Sequence, residues 1–154
     1  MTAHERTNWR DQRISARHRE WGQDCPAVDL DFLMCEYNHG LPVALVDYKH
    51  DCVGDVSVGH PTMKALTALA NGYGRGPLPF FIAFYDPDEW WFRIKPMNAA
   101  AEKAYAPADR MLSERRYVRS LYVLRNATIT AEVMRVLSTR KDVVPNENYH
   151  MGVR

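Results

Sequence analysis

Residues 28–50, with the sequence VDLDFLMCEYNHGLPVALVDYKH, decide the fold that we expect for this chain. Two apolar runs flank an Asn-His-Gly turn signal, and this pattern predicts a β-hairpin with strands at 27–37 and 42–50. Charged side chains are rarely buried unless they are paired or bind a metal ion. The two runs nevertheless contain several of them, namely Asp29, Asp31, Asp47 and Lys49.

The length and composition of the chain predict one globular domain spanning residues 1–154. Of these residues, 46% are apolar and 25% are charged, which is typical of folded rather than disordered proteins. The formal net charge of +1 neither requires nor excludes nucleic acid, because a local basic patch is sufficient for binding. Since we find no apolar run typical of a membrane span or a signal peptide, we expect a cytoplasmic protein with no membrane partner.

Turn residues and apolar periodicity predict helices and hairpins over the rest of the chain. A mixed β-sheet flanked by helices explains this order and explains strands that are apolar on both sides, so the predicted fold class is α/β. The predicted elements are a helix at 5–21, the hairpin, a helix at 61–71, a second hairpin with strands at 78–85 and 90–95, and helices at 113–125 and 130–137.

The charged residues of the hairpin share one face of each strand, because side chains alternate along a strand. Asp31 precedes the Asn-His-Gly turn by seven residues and Asp47 follows it by seven, so regular pairing brings their Cβ atoms to about 5 Å, where two carboxylates repel. A hard cation such as Mg²⁺ would remove this conflict, with the backbone carbonyl of Tyr48 as a further ligand. Asp29 is an alternative ligand to Asp31, although the pairing symmetry favours Asp31. Lys49 would lie beside the metal, where it could orient water or stabilise charge on a phosphate.

The spacing of Asp31 and the Asp47-Tyr48-Lys49 triplet on a strand hairpin resembles the PD-(D/E)xK nuclease superfamily. That superfamily includes type II restriction enzymes, archaeal Holliday-junction resolvases and phage nucleases, which share an α-β-β-β-α-β core. The resemblance covers about residues 14–95 and implies a restriction-endonuclease-like core, with C-terminal helices at about 108–138. The departures from the superfamily pattern are Leu30 in place of proline before Asp31, Asp47 where glutamate is commoner, and no third strand directly after Lys49.

The resemblance implies a metal-dependent endonuclease that hydrolyses phosphodiester bonds. The expected substrate is DNA of a particular structure rather than a particular sequence. Asp31, Asp47 and Lys49 would be catalytic, and Glu20 on the first helix would add a further acid. Mg²⁺, with Mn²⁺ as a substitute, would bind to Asp31, Asp47 and the Tyr48 carbonyl. A cut in both strands needs two sites, which is compatible with a homodimer.

Arginines that would contact the sugar-phosphate backbone fall into two helical groups and one loop. Each helical group is also compatible with an ordinary solvated helix face. The loop is the Gly-rich run at 72–76, which lacks the ending of a P-loop. The candidates are Arg10, Arg13 and Arg17 in the first helix, Arg75 in the loop, and Arg115, Arg116 and Arg119 in a C-terminal helix.

Two other functions are compatible with the sequence. The chain could be a non-catalytic nucleic-acid-binding protein on the same fold. It could also be a protein-interaction module in which the acids only stabilise the structure, with Lys49 in a salt bridge to one of them. Such a bridge needs a single acid, whereas the hairpin carries two or three.

Overall fold

The structure is a computed structural model that describes residues 30–144 together with Arg13, Arg17, Glu20 and Trp21. These four residues are helical, as expected for the predicted first helix. Asp29, Arg10, the beginning of the predicted first strand and residues 145–154 lie outside the described residues.

Five strands and four helices form the part of the chain from residue 30 to residue 144. The strands are β1 (Phe32–Glu36), β2 (Leu41–His50), β3 (Phe80–Tyr85), β4 (Trp91–Pro96) and β5 (Met111–Ser113). The helices are α1 (Pro61–Asn71), α2 (Ala99–Ala104), α3 (Glu114–Leu124) and α4 (Ala131–Ser138). Short 3-10 turns occur at Tyr37–His39 and Pro107–Asp109.

The strands form one mixed sheet in the order β1-β2-β3-β4-β5. The β2 and β3 strands are parallel and are connected through α1, whereas the other neighbouring pairs are antiparallel. The predicted hairpin forms β1 and β2, and its turn contains Gly40 in the left-handed region with a φ of +60°. The predicted α/β class with a mixed sheet flanked by helices is therefore confirmed.

The two faces of the sheet pack against different helices, because residues alternate along each strand. On the α1 face, Met63 and Leu66 of α1 pack in one cluster with strand residues such as Leu45, Ile82 and Phe84. On the α3 face, Tyr117 of α3 packs in a second cluster. Its buried strand members are Ala44, Val46, Phe81, Ala83, Phe92, Ile94 and Leu112. Both faces of the central strands are covered, which explains their nearly continuous apolar sequence.

The sequence did not predict α2 and β5. The α2 helix begins at Asn98, whose side-chain oxygen accepts hydrogen bonds from the backbone N–H groups of Ala101 and Phe80. The same amide donates to the Leu78 carbonyl and to Asn71, so one buried side chain joins the end of α1, the start of β3 and the start of α2. The β5 strand has three residues, which is too short to give an alternating pattern.

None of the helices in the described part of the chain is long and apolar enough to cross a membrane.

Candidate functional site

The register of the hairpin brings Asp31 beside Asp47. Phe32 pairs with Val46 at the start of β1, and the same register continued by one residue places Asp31 opposite Asp47. The neighbouring Asp31 carboxyl group also contributes to raising the pKa of Asp47, in agreement with this register. This placement agrees with the expectation that these acids are cross-strand neighbours, although Asp31 itself is exposed and directly precedes β1.

Asp47 is an unusual residue for the middle of a buried strand, because its relative exposure is only 5%. Burial is the main reason why its pKa lies above the ordinary value of 3.8, and the Asp31 carboxyl raises it further. Lys49 acts in the opposite direction and lowers it, but the net effect is upward. Two neighbouring carboxylates repel each other unless one is protonated or a cation binds between them. This pair of acids therefore favours the binding of a cation that contacts both carboxylates.

Lys49 lies two residues after Asp47 on the same face of β2. Its Nζ atom donates a hydrogen bond to Oδ1 of Asp47 at 2.6 Å. The side chain of Lys49 remains 32% exposed, whereas that of Asp47 is 7% exposed. The ammonium group is thus held at the site by the buried acid and still accessible to a ligand from solvent. With one ammonium for two carboxylates, the fully ionised group would still carry one net negative charge.

The backbone of Tyr48 faces the side of β2 on which Asp31 lies. The N–H groups of Leu45 and Asp51 both donate to β3, to the carbonyls of Pro79 and Tyr85. Successive residues of a strand direct their backbone groups to opposite sides, so the backbone groups of Tyr48 face away from β3. Strand β1 begins two positions short of pairing with Tyr48, which leaves its carbonyl beyond the described β1–β2 ladder. The Tyr48 hydroxyl is on the α3 face, where it hydrogen-bonds the Tyr117 hydroxyl at 2.7 Å.

Strand β4 adds two cations to the α1 face that the sequence analysis missed. The register pairs Ile82, the neighbour of Asp47, with Lys95, and it pairs Phe84, the neighbour of Lys49, with Arg93. The signal was present in the sequence, because Arg93-Ile94-Lys95 repeats the spacing of Asp47-Tyr48-Lys49 within an apolar strand. Because side chains alternate along a strand, the two charged residues of each triplet lie on the same face of the sheet.

Lys95 holds the loop between β2 and α1 against this face. Its Nζ atom donates to Oδ1 of Asp55 and to the carbonyl of Val56, both at 2.7 Å. The hydrogen bond from Lys95 is the main reason why the pKa of Asp55 is lowered. The positive charge of Lys95 is therefore already satisfied within the protein, and its role is structural.

Glu20 has a different partner from the paired acids. It forms an exposed ion pair with Arg17 at 3.6 Å on the N-terminal helical segment. The groups that shift the pKa of Asp47 are Asp31 and Lys49, and Glu20 is not among them. Of the predicted catalytic set, the structure thus brings Asp31, Asp47 and Lys49 together and does not bring Glu20 to them.

The predicted arginine patch on α3 is not formed as expected. Arg116 and Arg119 are exposed and line a cavity of about 550 Å³, but Arg115 is directed toward α4. The Arg115 guanidinium donates to the carbonyl of Leu137 at 3.4 Å and lies 3.7 Å from a carboxylate oxygen of Asp142. The α3 helix also covers the face of the sheet opposite to Asp47, so the structure separates these arginines from the paired acids.

Arg75 lies at the other end of the sheet. Its loop lines a shallow pocket with Leu41, Pro42 and Val43, at the beginning of β2. Val43 and Asp47 are four residues apart on this strand, a separation of about 13 Å. The structure therefore does not bring Arg75 to the site.

The described residues offer oxygen ligands but no larger metal cluster. In the described part of the chain, no group of three or more His, Cys, Asp or Glu side chains is placed to hold a metal ion. His50 and His60 use their Nδ1 atoms to accept the backbone N–H groups of Cys52 and Thr62. The donor set is thus two carboxylates and one carbonyl, which suits a hard cation that keeps several waters, such as Mg²⁺.

Comparison of the chain with protein-family models, curated proteins and solved structures found no match.

Proposed function

We propose that this protein is a Mg²⁺-dependent endonuclease that hydrolyses phosphodiester bonds, with DNA of a particular structure as its substrate. The observation that carries this proposal is the hairpin register, which places the exposed Asp31 opposite the buried Asp47, whose carboxylate accepts a hydrogen bond from Lys49. A structural ion pair needs only one of these acids. Two carboxylates placed together destabilise the fold because they repel each other. A bound cation removes this repulsion, so the pair is suited to be a cation-binding site.

The donor set fits the proposed metal. Asp31, Asp47 and the carbonyl of Tyr48 would hold Mg²⁺, and Mn²⁺ could substitute because it accepts the same oxygen ligands. A bound Mg²⁺ supplies Lewis acidity at the phosphate and lowers the pKa of a coordinated water. This proposal explains why the two acids lie together and why the pKa of Asp47 is raised. A purely structural role explains neither.

Each residue of the site has a separate role in this proposal. Asp47 is fixed by burial and by Lys49, so its carboxylate is preorganised before ligands bind. Asp31 is exposed and completes the metal site from the adjacent strand. The Lys49 ammonium, which is partly exposed, donates a hydrogen bond to a phosphate oxygen and stabilises the negative charge that develops there.

The topology supports the resemblance to the PD-(D/E)xK superfamily. A helical segment, an antiparallel hairpin, a helix and a parallel strand follow one another, with Asp47 and Lys49 on β2 and Asp31 directly before β1. This order lacks one strand of the α-β-β-β-α-β core within the described residues. A homodimer would supply the two sites that a double-strand cut requires.

A cleavage assay tests the proposal directly. Plasmid and branched DNA are incubated with the protein in Mg²⁺, Mn²⁺ or EDTA, and DNA binding is measured in the same samples. We expect cleavage that requires the metal and is abolished in Asp47→Asn and Lys49→Ala. Asp88→Asn, which removes an exposed carboxylate outside the site, should cleave like the wild type. Binding without cleavage would indicate a non-catalytic nucleic-acid-binding protein, and neither activity would favour an interaction module.

Metal binding is tested separately by thermal denaturation. A cation that binds only the folded state stabilises it by about 2.7 kcal/mol at 100 times its Kd, which corresponds to several degrees in Tm for a domain of this size. Asp31→Asn and Asp47→Asn should remove most of this shift, and Asp88→Asn should retain it. A Tm that does not change across millimolar Mg²⁺ and Mn²⁺ would contradict a metal site at these acids.

A further inference from the structure

Arg93 occupies a position on the α1 face that corresponds to that of Lys49. Lys49 is paired with Phe84 of β3, and Phe84 is paired with Arg93 of β4, so the three residues form one row across the sheet. Adjacent strands are about 4.8 Å apart, which puts the backbones of Lys49 and Arg93 at about 10 Å. Lys49 and Arg93 are therefore separated only by the ring of Phe84.

The guanidinium group of Arg93 lies over that ring, with its Cζ atom 4.0 Å from the ring centroid of Phe84. Its Nε and Nη2 atoms are buried and have no hydrogen-bond partner among the described residues. Asp55 influences Arg93 through its charge, but that carboxylate accepts its hydrogen bond from Lys95. Arg93 thus differs from its strand neighbour Lys95, whose ammonium group has two acceptors.

Two buried guanidinium nitrogen atoms without acceptors destabilise the fold, because their lost hydration is not replaced. Such an arrangement is typical of groups that are completed by a ligand. The planar guanidinium donates two parallel hydrogen bonds to a phosphate, and stacking on an aromatic ring fixes its orientation without using its donors. The row therefore presents an ammonium and a stacked guanidinium side by side on the face that holds the paired acids.

We infer that Arg93 binds a backbone phosphate of the nucleic acid, next to the phosphate held at Asp31, Asp47 and Lys49. This inference rests on the proposed nuclease function and assigns to it a positioning residue that the sequence motif does not contain. Arg93 does not touch the reacting atoms. It fixes the position of the strand on the α1 face, and it replaces the arginines of α3 as the nearest candidate for a phosphate contact.

The test uses equilibrium binding of a fluorescein-labelled DNA duplex in Ca²⁺ buffer, measured by anisotropy at several salt concentrations. Arg93→Met keeps an unbranched chain over Phe84 and removes the charge and the donors. We expect it to weaken binding about 10- to 100-fold, as for other hydrogen bonds to charged groups. The slope of log affinity against log salt should fall by about 0.9, the value for one lost phosphate contact. Arg93→Lys should retain the slope and recover only part of the affinity.

Two controls separate this role from a structural one. Arg135→Met removes an exposed arginine from α4 and should leave both affinity and slope unchanged. The Tm of Arg93→Met should equal or exceed that of the wild type, because the variant removes two buried nitrogen atoms that have no acceptor among the described residues. If the protein cleaves DNA, Arg93→Met should raise KM more than it lowers kcat.

The outcomes distinguish this inference from the proposed function. If the wild type binds DNA without cleaving it and Arg93→Met binds more weakly, the phosphate contact stands and the catalytic proposal fails. If the wild type cleaves DNA and Arg93→Met has an unchanged affinity and salt slope, the catalytic proposal stands and the inference on Arg93 is overturned. A wild type that does not bind the duplex, or an Arg93→Met protein that loses binding together with its Tm, would also overturn it.

Discussion

The two faces of the sheet differ in whether their polar groups are satisfied by hydrogen bonds. On the α3 face, the polar groups are hydroxyls that hydrogen-bond one another, as in the pairs Tyr48–Tyr117 at 2.7 Å and Tyr105–Ser120 at 2.8 Å. Burial raises the pKa of Tyr105 to about 12, so this hydroxyl stays neutral at any physiological pH. On the α1 face, by contrast, the polar groups are charges: Asp47 is buried, and two buried nitrogen atoms of the half-buried Arg93 have no hydrogen-bond partner among the described residues.

This difference indicates that the two faces of the sheet have different roles. The α3 face gains stability from aromatic packing and closed hydrogen bonds, whereas the α1 face gives up stability by placing charged groups in a hydrophobic setting. Stability is commonly lower at functional sites, because groups arranged for a ligand are not arranged for folding. Substitutions on the two faces should therefore change stability in opposite directions.

The largest effect should come from Phe92→Ala on the α3 face. The ring of Phe92 is buried and stacks on Tyr117, with ring centroids 4.1 Å apart and an interplanar angle of 18°. Truncation leaves a cavity as well as losing the contact, and we expect the free energy of unfolding to fall by about 3–5 kcal/mol. Urea denaturation followed by circular dichroism measures this change. Phe92→Leu should lose clearly less, and a loss under about 1 kcal/mol for the alanine variant would mean that this face is not the stabilising one.

The second effect should have the opposite sign and should depend on pH. Asp47 has a folded-state pKa above its ordinary value of 3.8, mainly because of burial. Its contribution to stability is therefore fully present below about pH 3.8 and is lost as the pH rises through the folded-state pKa. Asparagine does not ionise, so Asp47→Asn does not lose stability as the pH rises. In EDTA at pH 7, the free energy of unfolding of the variant should therefore exceed that of the wild type by about 1 kcal/mol.

Thermal denaturation of both proteins between about pH 3 and pH 8 checks this prediction. The difference in Tm should be small at the acidic end, where Asp47 is protonated, and should grow with increasing pH. Asp88→Asn controls for the loss of one carboxylate from an exposed position. A variant that is less stable than the wild type at neutral pH would show that the ion pair with Lys49 outweighs burial, as expected for a structural salt bridge.

Sequence patterns predicted those features of the fold that are encoded locally. Residues 61–71 form a helix with the predicted bounds, because Pro61 suits the first turn and Met63 and Leu66 recur at helical spacing. Ser113 caps α3 as expected, since its hydroxyl accepts the backbone N–H of Arg116. The juxtaposition of Asp31 and Asp47 was predicted from symmetry about the turn, whereas in the structure it depends on a register shift between Met34 and Cys35.

What the sequence could not predict depends on packing between distant segments. Packing of Tyr117 against strands more than twenty residues away in sequence determines which face of the sheet α3 covers. The apolar periodicity of the helix does not indicate which face that is. Arg115 turns toward α4 because it finds acceptors at Leu137 and Asp142, so a helix-face argument wrongly grouped it with exposed arginines. Arg93 was missed because its significance depends on the register of β3 with β2 and β4.

The smallest effect should come from the arginines on the outer surface of α3. Arg116 and Arg119 are exposed, and this helix packs on the face opposite to the paired acids. A duplex bound on the α1 face should therefore not contact them, so the double variant Arg116→Ala, Arg119→Ala should bind labelled DNA within about twofold of the wild type. Its salt slope should also be unchanged, because the slope counts phosphate contacts rather than net charge. A slope lower by nearly two would show that the nucleic acid reaches α3, and the assignment of functional roles to the two faces would then have to be revised.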